Sequence, residues 1–168
     1  MIEINFIHDS YNFSSIGKSD LEDIGEWVIK NDGEISSYSL VDLQILYRRF
    51  LEYYITEDEV YIKIVNENDN NIVGIFKGRF EKKNEFFVWL FIIDEKLRNR
   101  GLGSEFLEVI IKYFSKDKEI KNIRVGIAKS NVEALSFWKS CKFEIERISK
   151  DFFERSNLEH EDMIIMKR

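Results

Sequence analysis

The sequence predicts a mixed α/β fold of the α+β kind: one largely antiparallel sheet with a parallel strand pair inside it and helices on both faces. Three observations predict it. Alternating apolar segments come in pairs around short polar turns early in the chain, as antiparallel hairpins do. The run "FFVWLFII", Phe86 to Ile93, is apolar without alternation, which marks a central strand covered on both faces. A helical segment then separates that run from the alternating strand "NIRVGIA", and a crossover helix sets the strands that flank it parallel.

In chain order, "MIEINFI" and "YNFSSI" read as strands joined by "HDS". "SDLEDIGEWVIK" opens with a capping box, Ser19 to Glu22, and carries Leu21, Ile24 and Val28 at helical spacing. After the loop "NDGEISSYS", the segment "LVDLQILYRRFLEYY" places Leu43, Leu46, Tyr47, Phe50, Leu51 and Tyr54 on one amphipathic stripe. "EVYIKIV" and "NIVGIFKGRF" are strands around "NENDNN", and "EKKN" turns into the central apolar strand. The next helix puts Leu102, Phe106, Ile110 and Phe114 on one face. "SNVEALSFWKSC" begins with a second capping box, Ser130 to Glu133, and sets Ala134, Phe137, Trp138 and Cys141 on one side. "KFEIERIS" and "DMIIMKR" are final strands around the polar loop "KDFFERSNLEH".

The chain has 168 residues, 44% hydrophobic and 33% charged, which fits one globular domain over 1–168. With 25 basic against 31 acidic residues the formal charge is −6, so no basic face for nucleic acid is expected. The single cysteine, Cys141, excludes an intrachain disulfide, and His8 and His160 lie too far apart in sequence for metal-ligand spacing. No apolar run spans a bilayer and the first residues lack a leader-like core, so the expectation is a cytoplasmic protein with no membrane partner and no metal.

The densest chemistry lies at "LRNRGLGSEFL", Leu97 to Leu107, between the central strand and a helix. A helix N-terminus offers unpaired N–H groups and partial positive charge. Glycine at Gly101 and Gly103 lets backbone approach an anion, and Lys96, Arg98 and Arg100 add charge. A Walker loop is excluded because Gly-Lys-Ser/Thr is missing. A dinucleotide fingerprint is excluded because Phe106 stands where its third glycine would be.

Arg98-x-x-Gly101-x-Gly103 between an apolar strand and a helix resembles the Arg/Gln-x-x-Gly-x-Gly/Ala motif of the GNAT superfamily of N-acetyltransferases. Asn131-x-x-Ala134-x-x-Phe137-Trp138 resembles that family's signature on the following helix, and one helix and one strand lie between the two motifs, as the family fold requires. The resemblance implies acetyl-CoA as co-substrate and an amine as acceptor, joined by direct transfer in a ternary complex. It implies that the backbone of Phe91, Ile92 and Ile93 lines the pantetheine arm in a splay between the parallel strands. Amides of Arg98, Asn99, Arg100, Gly101, Leu102, Gly103 and Ser104 would hold the pyrophosphate. Asn131 would contact the pantetheine or position its helix, with Phe137 and Trp138 beside it. The protein would be a monomer or a homodimer.

Three positions depart from the family pattern. Trp138 replaces the tyrosine that usually protonates the leaving thiolate, and an indole cannot do so usefully. Lys142 stands where a helix-ending glycine is common. Phe87 occupies the strand position of a family glutamate, leaving Glu85, two residues earlier on the same face, as the candidate base acting through water. An amine of lysine type has a pKa near ~10.4, and freeing it at neutral pH costs roughly 4–5 kcal/mol, so some group must help. Cys141 reads as a structural thiol. His160, Tyr38 and Glu34 lie in the loops that shape the acceptor site in the family. The leading expectation is transfer of acetyl to a primary amine. The alternative is a CoA-binding regulatory or sensor protein without efficient transfer, motivated by Trp138. Use of longer acyl groups is opposed by the bulk of Trp89, Phe91 and Trp138.

Overall fold

The computed structural model describes residues 2–31, 43–81, 84–116, 119–154 and 160–168. Among these residues eight strands form one mixed sheet: β1 (Asn5–His8), β2 (Tyr11–Ser15), β3 (Glu59–Asn66), β4 (Asn71–Glu81), β5 (Glu85–Ile93), β6 (Asn122–Ala128), β7 (Glu144–Glu154) and β8 (His160–Lys167). Their order is β1-β2-β3-β4-β5-β6-β8-β7, and β5 and β6 are the parallel pair. The helices are α1 (Leu21–Asn31), α2 (Leu43–Ile55), α3 (Leu102–Phe114) and α4 (Val132–Ser140). The predicted fold class is the observed one. The chain divides into two compact units, Met1–Arg79 with Leu90–Gly103, and Phe80–Trp89 with Ser104–Arg168.

In the first unit, α1 buries Leu21, Ile24 and Val28 against Phe50 and Tyr53 of α2, Tyr61 of β3 and Ile75 of β4. Ser19 does not cap α1. A short 3-10 turn, Lys18–Asp20, leads into the helix, and the Asp20 carboxylate accepts the Gly17 N–H at 2.8 Å and the Lys63 ammonium at 2.8 Å. The α2 stripe is also rotated from its expected position. Tyr53 is fully buried, edge-on to Tyr61 with ring centroids 5.7 Å apart, while Leu51 and Tyr54 face outward. Aromatic packing on β3 selects Phe50 and Tyr53 as the inner face.

The β3–β4 ladder pairs Ile64 with Gly74 and Val65 with Ile72, so the register skips Val73. The Val73 carbonyl accepts the Asp94 N–H at 2.9 Å. A side chain at Gly74 would meet Ile93, Ile64 and the Ile92 carbonyl at 3.0–3.2 Å, so glycine here permits close approach of the end of β5. These two features fix where the chain leaves β5.

In the second unit, α3 buries Phe106, Leu107, Ile110 and Phe114, three of the four residues on the predicted face plus Leu107. Phe114 meets Phe80 and Phe86 at ring separations of 5.2 and 5.5 Å. Much of the expected terminal loop is strand: β7 runs to Glu154 and β8 starts at His160, with Phe153 opposite Glu161. Cross-strand pairing extends the strands beyond the periodic apolar signal, with register shifts on β7 between Ile145 and Arg147 and between Ser149 and Phe153. At the end of α4, Lys142 takes φ +66°. The Phe143 N–H reaches the Trp138 carbonyl and the Lys142 N–H the Lys139 carbonyl, both at 3.0 Å. This is the helix-ending arrangement that glycine makes without strain, formed here by lysine.

Candidate active site at the turn before the third helix

The parallel ladder ends early. Glu85 to Val88 pair with Asn122 to Val125, yet β5 continues to Ile93 and β6 to Ala128. Burial along β5 changes at the same place. Phe86, Phe87 and Val88 are buried, Trp89 is 46% exposed, Leu90 and Phe91 are half-buried, and Ile92 and Ile93 are buried again. Exposure thus rises for three residues of β5 just past its last ladder pair with β6.

Beyond Ile93, Asp94 caps a 3-10 turn, Glu95–Leu97, by accepting the Lys96 N–H at 2.8 Å. Arg98 is extended, Asn99 has φ +59°, Gly101 has φ +82°, and α3 begins at Leu102. A Cβ built on Gly101 meets nothing within 4 Å. Its dihedral therefore favours glycine while the space over it is open, a combination that suits a backbone anion cradle. Asn99, Arg100 and Gly101 are exposed, and Leu102, Gly103 and Ser104 are half-buried in the first helical turn.

Arg98 does a different task from the one its charge suggested. Its Nε donates to the Ile93 carbonyl at 3.1 Å and its Nη2 to the Asn31 carbonyl at 2.8 Å. The guanidinium thus braces the turn and satisfies a carbonyl at the end of α1. Buried Asn31 completes the brace: its Oδ1 accepts the Glu95 N–H at 3.2 Å and its Nδ2 donates to the Trp27 carbonyl at 3.0 Å. Nothing in the sequence singled out Asn31. Its one signal is an asparagine ending an apolar helix.

In the second unit, Asn131 caps α4, its Oδ1 accepting the Ala134 N–H at 2.9 Å. The cap is therefore Asn131 and not Ser130, whose own N–H is taken by the buried Glu161 carboxylate at 2.7 Å. Trp138 is 4% exposed and packs edge-on between Phe137 and Phe143. It is a core side chain with little exposed surface, and Phe137 is half-buried. Glu85 pairs with Arg124, which also binds both Glu146 oxygens at 2.7 and 2.9 Å. The Glu146 bonds are the foremost cause that holds the Arg124 guanidinium charged, and Arg124 in turn pulls the Glu146 carboxyl below its usual range.

A family profile described as "Acetyltransferase (GNAT) domain" matches residues 13–165. The chain belongs to the GNAT acetyltransferase family. Over 73 residues it is 29% identical to the spermine/spermidine N(1)-acetyltransferase of Bacillus subtilis (strain 168), covering 42% of this chain and 48% of that one, so the match spans about half the relative's length. Among solved structures, a ribosomal L7/L12 alpha-N-protein acetyltransferase in complex with coenzyme A aligns with TM-score 0.80 at 12% identity, covering 96% and 94% of the two chains. The ribosomal-protein-S5-alanine acetyltransferase of Vibrio fischeri aligns with TM-score 0.76 at 16% identity, covering 99% and 96%.

Glu85, the expected base, has its carboxylate engaged by Arg124. Cys141 is buried and burial raises its thiol pKa, as expected for a structural cysteine. His160 is exposed at the start of β8 opposite Glu154. Glu34 and Tyr38 lie outside the described residues.

Proposed function

We propose that this acetyltransferase moves the acetyl group of acetyl-CoA onto the nitrogen of a primary amine, with both substrates bound at once. The observation that carries the reading is the turn before α3, where Asn99 and Gly101 are left-handed and the space over Gly101 is open. Amides of the turn past Arg98, whose own N–H is taken by the Glu95 carbonyl at 3.2 Å, receive the pyrophosphate, exposed Lys96 and Arg100 add charge, and the Arg98–Asn31 brace holds the cradle's shape. The backbone of Phe91, Ile92 and Ile93 runs beside the pantetheine arm. N–H groups on β5 past Val88 polarise the thioester carbonyl as an oxyanion hole does.

The neutral amine nitrogen attacks that carbonyl. The N–C bond forms, the C–S bond breaks, and the proton lost by nitrogen ends on the departing thiol. Glu85 is not retained as base. The relatives named above act on polyamine and ribosomal-protein amines, and what those acceptors share, a primary amine, is the class assigned here. The test is calorimetry with acetyl-CoA, followed by a thiol-release assay over primary amines. Sub-millimolar binding with turnover is expected, and no binding ends the proposal. Buried Trp138, which brings no hydroxyl, supports a second reading as a coenzyme A sensor. Tight binding without release on any amine selects that reading.

A further inference from the structure

Trp89 is a large apolar side chain left in the open on an inner strand. β5 lies between β4 and β6, and Phe86, Phe87 and Val88 are buried, yet Trp89, the first residue past the last ladder pair with β6, is 46% exposed. Its ring shares a face of the sheet with that of Phe87, the centroids 4.5 Å apart and the planes inclined by 43°. Gly126 of β6 makes room on this face. A Cβ there would meet the Met163 Sδ at 2.7 Å and the Phe87 Cζ at 3.4 Å, so glycine lets the thioether and the phenyl ring close over the strand. Phe87 is the buried member of this platform and Trp89 the open one. The opposite face is filled, because Phe86 packs on Phe80 and on Phe114 of α3 at 4.8 and 5.5 Å.

Charge on the Trp89 face does not oppose a cation. Arg124 is bonded to Glu85 and Glu146. Lys167 stands opposite Arg124 on one side and Glu144 on the other, Arg147 stands opposite Ile165, and buried Glu161 lies further along β8. The carboxylates Glu85, Glu144, Glu146 and Glu161 thus more than match the cations Arg124, Arg147 and Lys167.

The inference rests on the acetyl-transfer reading, in which N–H groups of β5 past Val88 hold the thioester carbonyl. An amine that attacks this carbonyl comes past the side chain at position 89. The reacting nitrogen is neutral at that moment, so a ring that held its ammonium form would stabilise the ground state and slow transfer. An indole face attracts positive charge more strongly than the other aromatic rings do. The charge it can hold from binding through transfer is therefore a second one on the same acceptor. We propose that Trp89 determines specificity: its indole selects acceptors that carry a second positive charge a few carbon atoms from the amine to be acetylated.

The experiment assays the full chain at saturating acetyl-CoA with two acceptors of equal chain length, α,ω-diaminobutane and n-butylamine. Acetyl-CoA affinity and circular dichroism are measured for each variant. Wild type is expected to favour the diamine at least about tenfold in kcat/KM. Trp89→Phe keeps a ring and most of the preference. Trp89→Leu, apolar without a ring, brings the ratio close to one. The loss lies in KM for the diamine, since a charge remote from the reacting nitrogen is bound alike before and during transfer. In the presence of coenzyme A the diamine quenches tryptophan fluorescence, and Trp89→Phe removes that quenching. Turnover of amines without preference for the diamine overturns the inference and leaves acetyl transfer standing. So does quenching that persists without Trp89, or a preference that survives in Trp89→Leu; either puts the second charge elsewhere. A preference lost equally in Trp89→Phe is a matter of shape and overturns the inference too. Absence of turnover on every amine overturns the reading beneath it as well.

Discussion

Two helices begin in opposite ways. The start of α4 is closed by side chains: Asn131 takes the Ala134 N–H, and just ahead of the cap Glu161 takes the Ser130 N–H. At α3 the preceding residue is Gly101, which has no side chain to offer, in a left-handed conformation under open space. The bracing there lies one step back, where Arg98 and Asn31 fix the segment ahead of the turn. One N-terminus satisfies itself with its own carboxamide. The other is held in shape from behind, with open space over Gly101, a geometry suited to an external anion.

The comparison breaks most readily at Gly101. Gly101→Glu is expected to abolish acetyl-CoA binding in calorimetry. Gly101→Asn keeps a residue tolerant of the left-handed region and lowers affinity on the order of a hundredfold with the melting point nearly unchanged. If affinity survives Asn, the phosphate lies elsewhere. Asn31→Ala tests the brace. It strands the Glu95 N–H, and acetyl-CoA affinity falls roughly tenfold while the dependence on amine concentration holds. Asn131→Ala sharpens the contrast from the other side: stability drops by about 1 kcal/mol in denaturant titration, with acetyl-CoA affinity close to wild type.

Lys142→Gly relieves a left-handed lysine and is expected to stabilise the protein by roughly 1 kcal/mol. The smallest effect is acidic. Arg124 lowers the folded-state pKa of Glu146, so the pair's contribution is present above the ordinary carboxyl value and is lost as pH falls through the lower folded one. Glu146→Gln should flatten the acid limb of stability below about pH 4.5; as Glu146 is exposed, the change is slight.

The order of elements, the parallel pair and the turn were legible because each rests on local chemistry. Periodicity names strands and helices, a crossover sets direction, and glycines beside cations at a helix start mark an anion site. The inner face of α2 was not legible. Leu51 and Tyr54 fit an apolar stripe as well as Phe50 and Tyr53 do, and the edge-on contact with Tyr61 decides between them. Both capping boxes were read one or more residues off: Gly17 is the cap of the first turn, its N–H taken by Asp20, and Asn131 caps α4 in place of Ser130.

The sequence by itself determined the family, the fold class and the position of the glycine turn before α3, since two spaced motifs and a regular element pattern carry them. Tertiary structure decided the use of each charge and ring. Arg98 became a strut because the end of α1 brings the Asn31 carbonyl to it. Glu85 became a structural partner because the parallel register sets Phe87, two residues along, beside Arg124. Trp138 became core because α4 turns it between Phe137 and Phe143. A side chain's type limits the bonds it can form, but its partners come from distant segments, and only the folded chain brings them within bonding distance.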